Sequence, residues 1–343
     1  MTMRVAAIDC GTNSIRLLIA DLNKESDQSE RVRGATGPAH PSPAPLTDVT
    51  REMRIVRLGE GVDRTGRLSA AALDRTMSAL REYAGLIADA KPAAVRMVAT
   101  SATRDAANSQ EFTDRVRDIL GVPPEVITGD EEAALSFTGA TRELAGTALA
   151  GECLPPYLVT DIGGGSTEFV LGGTDEADAR GQVSRGRVQG RSVNIGCVRL
   201  TERHLHGDPP AQAEIANTVK DIDAGLDQAA AVPVEKARTL VGLAGSVTTV
   251  AAIALGLEEY DSARIHHSRV SAARVHEIAV GLLAMTRAER AAIPVMHPGR
   301  VDVIGAGALI LDRIMTRFGF AEVLVSEHDI LDGIAWSLVP TAA

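Results

Sequence analysis

Residues 159–171 read VTDIGGGSTEFVL, and the fold turns on this stretch. An apolar run ends on Asp161, three glycines follow, and Ser166, Thr167 and Glu168 lead into a second apolar run that ends at Leu171. Three consecutive glycines between two strand-like runs make a tight turn whose backbone N–H groups no side chain shields. Such a turn can close around a phosphate. Asp161 and Glu168 bracket it. Carboxylates beside an anion site make chemical sense when a divalent cation sits between them and the phosphate; otherwise the stretch is a glycine-rich hairpin with a solvated acid at either end.

A second copy favours the phosphate reading. Residues 7–19 read AIDCGTNSIRLLI, and pairing Asp9 with Asp161 also pairs Gly11 with Gly163, Ser14 with Ser166, and Leu17–Ile19 with Phe169–Leu171. Both copies are strand, Asp-x-Gly turn, strand. The chain therefore reads as an α/β protein built from a duplicated βββαβα domain, its two turns facing each other across an interdomain cleft. Arg16 falls where Glu168 falls, so one turn offers a cation and the other a carboxylate.

In order along the chain, DCGTNSIR (9–16), ATSATRDAANS (99–109), VITGDEEA (126–133) and DIGGGSTE (161–168) resemble the exopolyphosphatase / guanosine pentaphosphate phosphohydrolase (Ppx/GppA) family. That family belongs to the ribonuclease H-like superfamily of actin, Hsc70, and acetate and sugar kinases. The resemblance runs from Arg4 to about Leu338, and the four motifs are specific together although none is alone. It implies two actin-like domains over 1–128 and 129–343, with the final helix packing back on the first. It implies removal of the terminal phosphate of inorganic polyphosphate, guanosine pentaphosphate, or both. Position by position, it implies phosphate contacts at Gly11, Thr12, Asn13, Ser14, Arg16, Arg104, Gly163, Gly164, Gly165, Ser166 and Thr167. It also implies Mg²⁺ or another divalent cation at Asp161, Glu168 and Asp9.

Two adjacent glutamates compete for the role of general base. If Thr128 caps the helix that opens TGDEEAALSF, Glu131 sits at the third helical position, where a capping-box glutamate reaches back to the cap's own N–H. Glu132 then points about 100° further round the helix. In the family the catalytic glutamate precedes a small residue, which here is Ala133, so both arguments choose Glu132. Arg104 follows small hydroxyl residues at a strand's end, and its planar fork suits an anion. Ala244-Gly245-Ser246, entering a helix, is a second-rank anion site. Two rivals remain: a kinase or ATPase of the same superfamily, and a polyphosphate or nucleotide sensor that binds without turnover.

Composition narrows the field. The 343 residues carry 45 acids against 35 bases, a net charge of −10, which disfavours nonspecific nucleic-acid binding. A polyanionic substrate then calls for a basic cleft on an acidic body. No apolar run reaches the roughly 20 residues of a membrane span. The N-terminus lacks the apolar core and cleavage site of a signal peptide, so a cytoplasmic protein is expected, without membrane partners and with a homodimer left open. Cys10, Cys153 and Cys197 have no metal spacing and read as small apolar filler. The histidines show no zincin spacing either. The chain is expected to close at Ala343 without the helical phosphohydrolase-like domain of longer family members, and hence to prefer short polyphosphate.

Between the second strand and a third expected over 53–58, residues at about 24–48 turn polar, with Pro38, Pro41, Pro43 and Pro45. They read as a disordered loop. Deleting residues 26–45 is therefore expected to leave the melting temperature and phosphate release nearly unchanged, because long surface insertions carry little of a core. A large loss of either would show that the segment covers the cleft or packs on the body.

Overall fold

The computed structural model describes residues 2–23, 46–142, 144, 153–173, 175–177, 183–185 and 188–339. Most of the proline-containing segment lies outside them. Its last three residues do not: the third strand starts at Leu46.

Among the described residues the first sheet has five strands in the order β3-β2-β1-β4-β5: β1 Thr2–Cys10, β2 Ser14–Asn23, β3 Leu46–Ile55, β4 Ala94–Ala99 and β5 Glu125–Val126. β1, β2 and β3 pair antiparallel, while β4 and β5 run parallel to β1. The second sheet repeats this order as β10-β7-β6-β11-β13 and adds β12 beyond β13. Its strands are β6 Tyr157–Ile162, β7 Thr167–Gly172, β10 Gln189–Val193, β11 Thr239–Leu243, β12 Arg269–Ser271 and β13 Glu322–Val325. β8 Asp175–Ala177 and β9 Val183–Arg185 pair antiparallel as a separate two-stranded sheet. The duplication is real, down to strand order and direction.

Strand alternation explains the layering. On β1, Ala6, Ile8 and Cys10 enter the core under helices Ala70–Ala90 and Ser109–Leu120. Val5 and Ala7 enter a second core with Ile330, Leu331, Ile334 and Trp336. Both faces of the strand are covered, which is why it reads as a continuous apolar run. The last helix, Ile330–Ser337, thus packs on the first sheet, whereas helix Gly129–Thr141 packs Ala133, Phe137 and Ala140 on β6, β7 and β11 of the second. Serine and threonine caps behave as the sequence predicts: Ser69 accepts from the Ala72 N–H, and Thr128 from the Glu131 N–H.

One expectation is corrected. The third strand is Leu46–Ile55 rather than 53–58; it is an edge strand with a single buried residue, so no burial pattern marks it in the sequence. The helix after Gly196 spans Cys197–His204.

Helices Gly129–Thr141 and Ile330–Ser337 cross through glycines. A Cβ at Gly139 would lie 1.8 Å from the Asp329 carbonyl oxygen, and one at Gly333 would lie 2.0 Å from that of Leu135. Gly139→Ala or Gly333→Ala is expected to cost about 1–3 kcal/mol through overpacking, read as a lower urea midpoint. Gly85→Ala, on an exposed helical position where a Cβ meets nothing within 4 Å, is expected to gain up to about 1 kcal/mol. Unchanged stability in both crossing variants would mean that the helices lie farther apart.

Candidate active site

The two turns have the same build. Gly11 N–H donates to the Ser14 carbonyl at 2.9 Å, and Gly163 N–H to that of Ser166 at 3.0 Å. In the strand ladders Asp9 faces Arg16, and Asp161 faces Glu168. The aligned positions of the sequence are thus aligned positions of the structure.

The second turn is oriented from behind. The N–H groups of Cys197 and Val198, which start helix Cys197–His204, donate to the carbonyls of Gly163 (3.0 Å) and Gly164 (2.9 Å). In a planar trans peptide the N–H lies opposite the C=O. The Gly164 and Gly165 N–H groups therefore point away from that helix, and they have no hydrogen-bond partner among the described residues. Gly196 permits this approach, since a Cβ there would lie 2.3 Å from the Gly164 oxygen.

The turns open on one cavity. Asp9, Gly11, Thr12, Asn13, Ser14, Arg16, Glu132, Asp161, Gly163, Gly164, Ser166 and Glu168, all singled out in the sequence, line it. Three others do not. The Thr167 hydroxyl donates to the Ile195 carbonyl. Gly165 abuts Ser101 and Thr12, with room for no Cβ. Arg104 stands behind Glu132, donating to its Oε2 at 3.0 Å and to the Ile127 carbonyl. The Gly245–Ser246 turn, a second-rank expectation, does reach the cavity.

Sequence reasoning missed Ser101, Arg300 and Asp329. Arg300 lines both this cavity and an adjoining chamber shared with Arg51, Met53, Tyr260 and Met296. Its guanidinium lies over Gly245 and donates to Thr249 Oγ1 at 3.1 Å. Asp329 shares Arg16 with Asp9, so Arg16 is an ion-paired group rather than a free cation. The His-Pro-Gly stretch before Arg300 carried no chemical signal.

The cleft is not basic. Its lining has four carboxylates, Asp9, Glu132, Asp161 and Glu168, against the guanidiniums of Arg16 and Arg300, and the expected basic cleft is corrected accordingly. Glu168, 1% exposed, accepts hydroxyl hydrogen bonds from Ser166 and Ser192, both at 2.7 Å. Asp161 accepts one from Ser136 at 2.8 Å. Burial, reinforced by Glu132 and Asp161, pushes the Glu168 carboxyl well above the ordinary carboxylate range. Burial lifts Asp161 to about 6, and Glu132 to about 7 although Arg104 opposes it. Asp9 is also raised, burial outweighing Arg16. At Asp329 burial is itself outweighed by Arg16, the Leu331 N–H and Arg51, and the carboxyl is lowered.

Glu131 corrects a detail of the capping argument. Its N–H does bond Thr128, but its carboxylate takes Arg96 at 2.8 Å instead of reaching back to the cap. It is exposed, and Glu132 is buried in the cleft, so the two glutamates do part company as the helix geometry requires. All three cysteines are free and buried. Among the described residues no helix is long and apolar enough to cross a membrane, and no three His, Cys, Asp or Glu side chains gather as a ready-made metal cage.

A repeated sheet with twin phosphate-type turns over one acidic cleft places the chain in the actin-like class of α/β enzymes. Comparison with known proteins is more specific: the chain belongs to the Ppx/GppA phosphatase family, whose pattern matches residues 38–342. It is 48% identical to exopolyphosphatase 2 of Mycobacterium tuberculosis, over 98% of both chains. It is 28% identical to the guanosine-5'-triphosphate,3'-diphosphate pyrophosphatase of Aeromonas salmonicida, over 97% of this chain and 59% of that one. The crystal structure of an exopolyphosphatase-like protein, 43% identical, superposes with a TM-score of 0.84 over 97% of this chain and 98% of that one.

The raised carboxyls make stability depend on pH. A carboxyl whose folded-state pKa exceeds its unfolded value binds the proton more tightly when folded, so its contribution is fully present at low pH and is lost as pH rises. For Glu132 that loss runs from about 4.5 to about 7. In the chelator-treated protein the melting temperature is expected to fall over this window, and Glu132→Gln is expected to flatten the fall. A wild-type melting temperature that rises from pH 5 to pH 7.5 would contradict the burial of these acids.

Proposed function

We propose that the chain is a cytoplasmic exopolyphosphatase that uses water to cleave the terminal phosphoanhydride of inorganic polyphosphate, or of guanosine pentaphosphate. The observation that carries the reading is Glu132: a buried carboxyl with a pKa of about 7 in a cleft bounded by two glycine turns. A general base works best with a pKa near the working pH. The names of the two curated relatives, an exopolyphosphatase and a guanosine-5'-triphosphate,3'-diphosphate pyrophosphatase, both denote phosphoanhydride hydrolysis.

In this reading the chain divides at residues 128/129. The substrate's terminal phosphate sits against the backbone N–H groups of Thr12–Ser14 and of Gly164–Ser166, and Glu132 accepts the proton of the attacking water. Arg104 holds Glu132 in place and keeps part of its ionised form available. Arg16, anchored by Asp9 and Asp329, faces the same space. Phosphoryl transfer asks for charge neutralisation and an in-line nucleophile rather than covalent chemistry.

The donor set suits a hard divalent cation. Every carboxylate lining the cleft offers oxygen, and Asp9 Oδ1 is buried with no hydrogen-bond partner. Mg²⁺ takes only one or two carboxylates and keeps its waters, so it does not require a preassembled cage. Of Asp161, Glu168 and Asp9, one or two would hold it directly and the rest through its waters, and when bound it would supply charge neutralisation to phosphate oxygens that four carboxylates otherwise repel.

Phosphate release from short polyphosphate, long polyphosphate and guanosine pentaphosphate, measured side by side with Mg²⁺, tests the activity and ranks the substrates. Glu132→Gln is expected to lower turnover roughly 10²- to 10⁴-fold with binding little changed. Glu131→Gln should touch only the Arg96 pair and leave turnover near wild type. The reverse outcome would sink the assignment of the base.

A further inference from the structure

Three successive carbonyls of the phosphate turn are held by helix Cys197–His204. The first two take backbone N–H groups. The third, of Gly165, takes the Nε of Arg199 at 2.7 Å. By peptide planarity, Arg199 fixes the direction of the Ser166 N–H, which also has no hydrogen-bond partner among the described residues. It is a side chain that completes what the backbone begins.

The rest of the same guanidinium crosses to the other sheet. Its two remaining nitrogens donate to Asp63, on the short helix Val62–Thr65, and to Asp105 at 2.6 Å. Asp105 directly follows Arg104, the partner of Glu132. Arg203 and Glu202 bridge the same gap one turn on: Arg203 reaches Asp63 at 2.9 Å, and Glu202 accepts from the Gly61 N–H at 3.1 Å. Neither touches the glycine turn. Arg199 alone among these three joins the turn of the second sheet to the 101–105 segment of the first, and its side chain is only 13% exposed.

We infer that Arg199 is a positioning residue for the phosphatase reaction. It locks the Gly165–Ser166 peptide, so that its N–H faces the substrate phosphate, only when the two halves of the molecule are closed on Asp63 and Asp105. A planar fork with donors in fixed directions is needed for one carbonyl and two carboxylates at once, and an ammonium cannot replace it. The cleft would therefore be competent in its closed form and slack when open, with Arg199 making the connection.

This inference rests on the phosphatase reading, and its test separates the two. In phosphate release from short polyphosphate, Arg199→Lys is expected to lower kcat roughly tenfold to a hundredfold, the usual effect of a misplaced binding group. KM should stay within about threefold, because ground-state binding is mostly kept. Arg203→Gln, which breaks a bridge to the same Asp63 without touching the turn, should change kcat less than about threefold, as expected for a half-exposed ion pair. Independently of activity, amide hydrogen exchange in a peptide covering residues 160–171 should be faster in Arg199→Lys than in the wild type and Arg203→Gln. Should Arg199→Lys fail to fold, Asp105→Asn decides on the same two readouts, with a smaller fall in kcat and faster exchange expected. Unchanged kcat, a loss carried by KM, an equal loss in Arg203→Gln, or unchanged exchange would each overturn the inference. If the wild type releases no phosphate from any substrate, the functional reading fails, and the exchange measurement still decides the role of Arg199.

Discussion

The structure depends on keeping four carboxylates, Asp9, Glu132, Asp161 and Glu168, in a cleft that leaves each of them less than a tenth exposed. Withdrawing one ionised carboxylate from water costs several kcal/mol unless partners replace the water. The fold supplies a partner for each: Arg16 for Asp9, Arg104 for Glu132, Ser136 for Asp161, and Ser166 with Ser192 for Glu168. Burial outweighs these partners: the carboxyls are raised where the partner is a hydroxyl, at Asp161 and Glu168, and also where it is a guanidinium, at Glu132 and Asp9. The arginines that look like phosphate ligands in the sequence are already engaged in making the acids tolerable.

Duplication gave two copies of one geometry, and divergence gave them opposite electrostatics. In the first copy the ladder pair is Asp9 with Arg16, which neutralises itself; in the second it is Asp161 with Glu168, two acids directly opposite whose repulsion helps keep Glu168 protonated. A like-charged cross-strand pair destabilises a sheet. It persists here at the turn end of the β6–β7 ladder, beside the three glycines. The site is therefore asymmetric although its scaffold is not: the first turn presents backbone and a compensated charge, and the second presents backbone and an uncompensated one.

What could be read from the sequence follows from distance along the chain. Each turn, and the burial of Glu132 rather than Glu131, rest on neighbours within a few residues, and local sequence pattern carries that information; the pairing of the two turns comes from likeness between two stretches. Asp329 meets Arg16 across 313 positions and Ser136 meets Asp161 across 25; only the closed topology brings them together. Arg300 is exposed to the same difficulty, being an ordinary arginine in a loop until it lies over Gly245. The third strand was misplaced because an exposed edge strand has no apolar period. The cleft's sign is a different matter: a substrate's charge does not dictate it, and here it is set by the four acids that line it.

Asp329 shows why stability and electrostatics cannot be tuned separately here. It is the N-cap of the last helix, its carboxylate accepting from the Leu331 N–H at 3.0 Å, and the same carboxylate holds Arg16. That helix packs on the first sheet, so one side chain ties the end of the described chain to its first phosphate turn. Loss of the carboxylate would uncap the helix, a cost typically near 1 kcal/mol, and would also leave Arg16 with Asp9 alone, removing one negative charge beside the cleft. The two effects oppose each other: a looser fold, and a more cationic cleft. A site that must hold four buried acids gains more from the closed, capped arrangement than from one negative charge fewer, because the acids are present in every state of the enzyme and the phosphate only while substrate is bound.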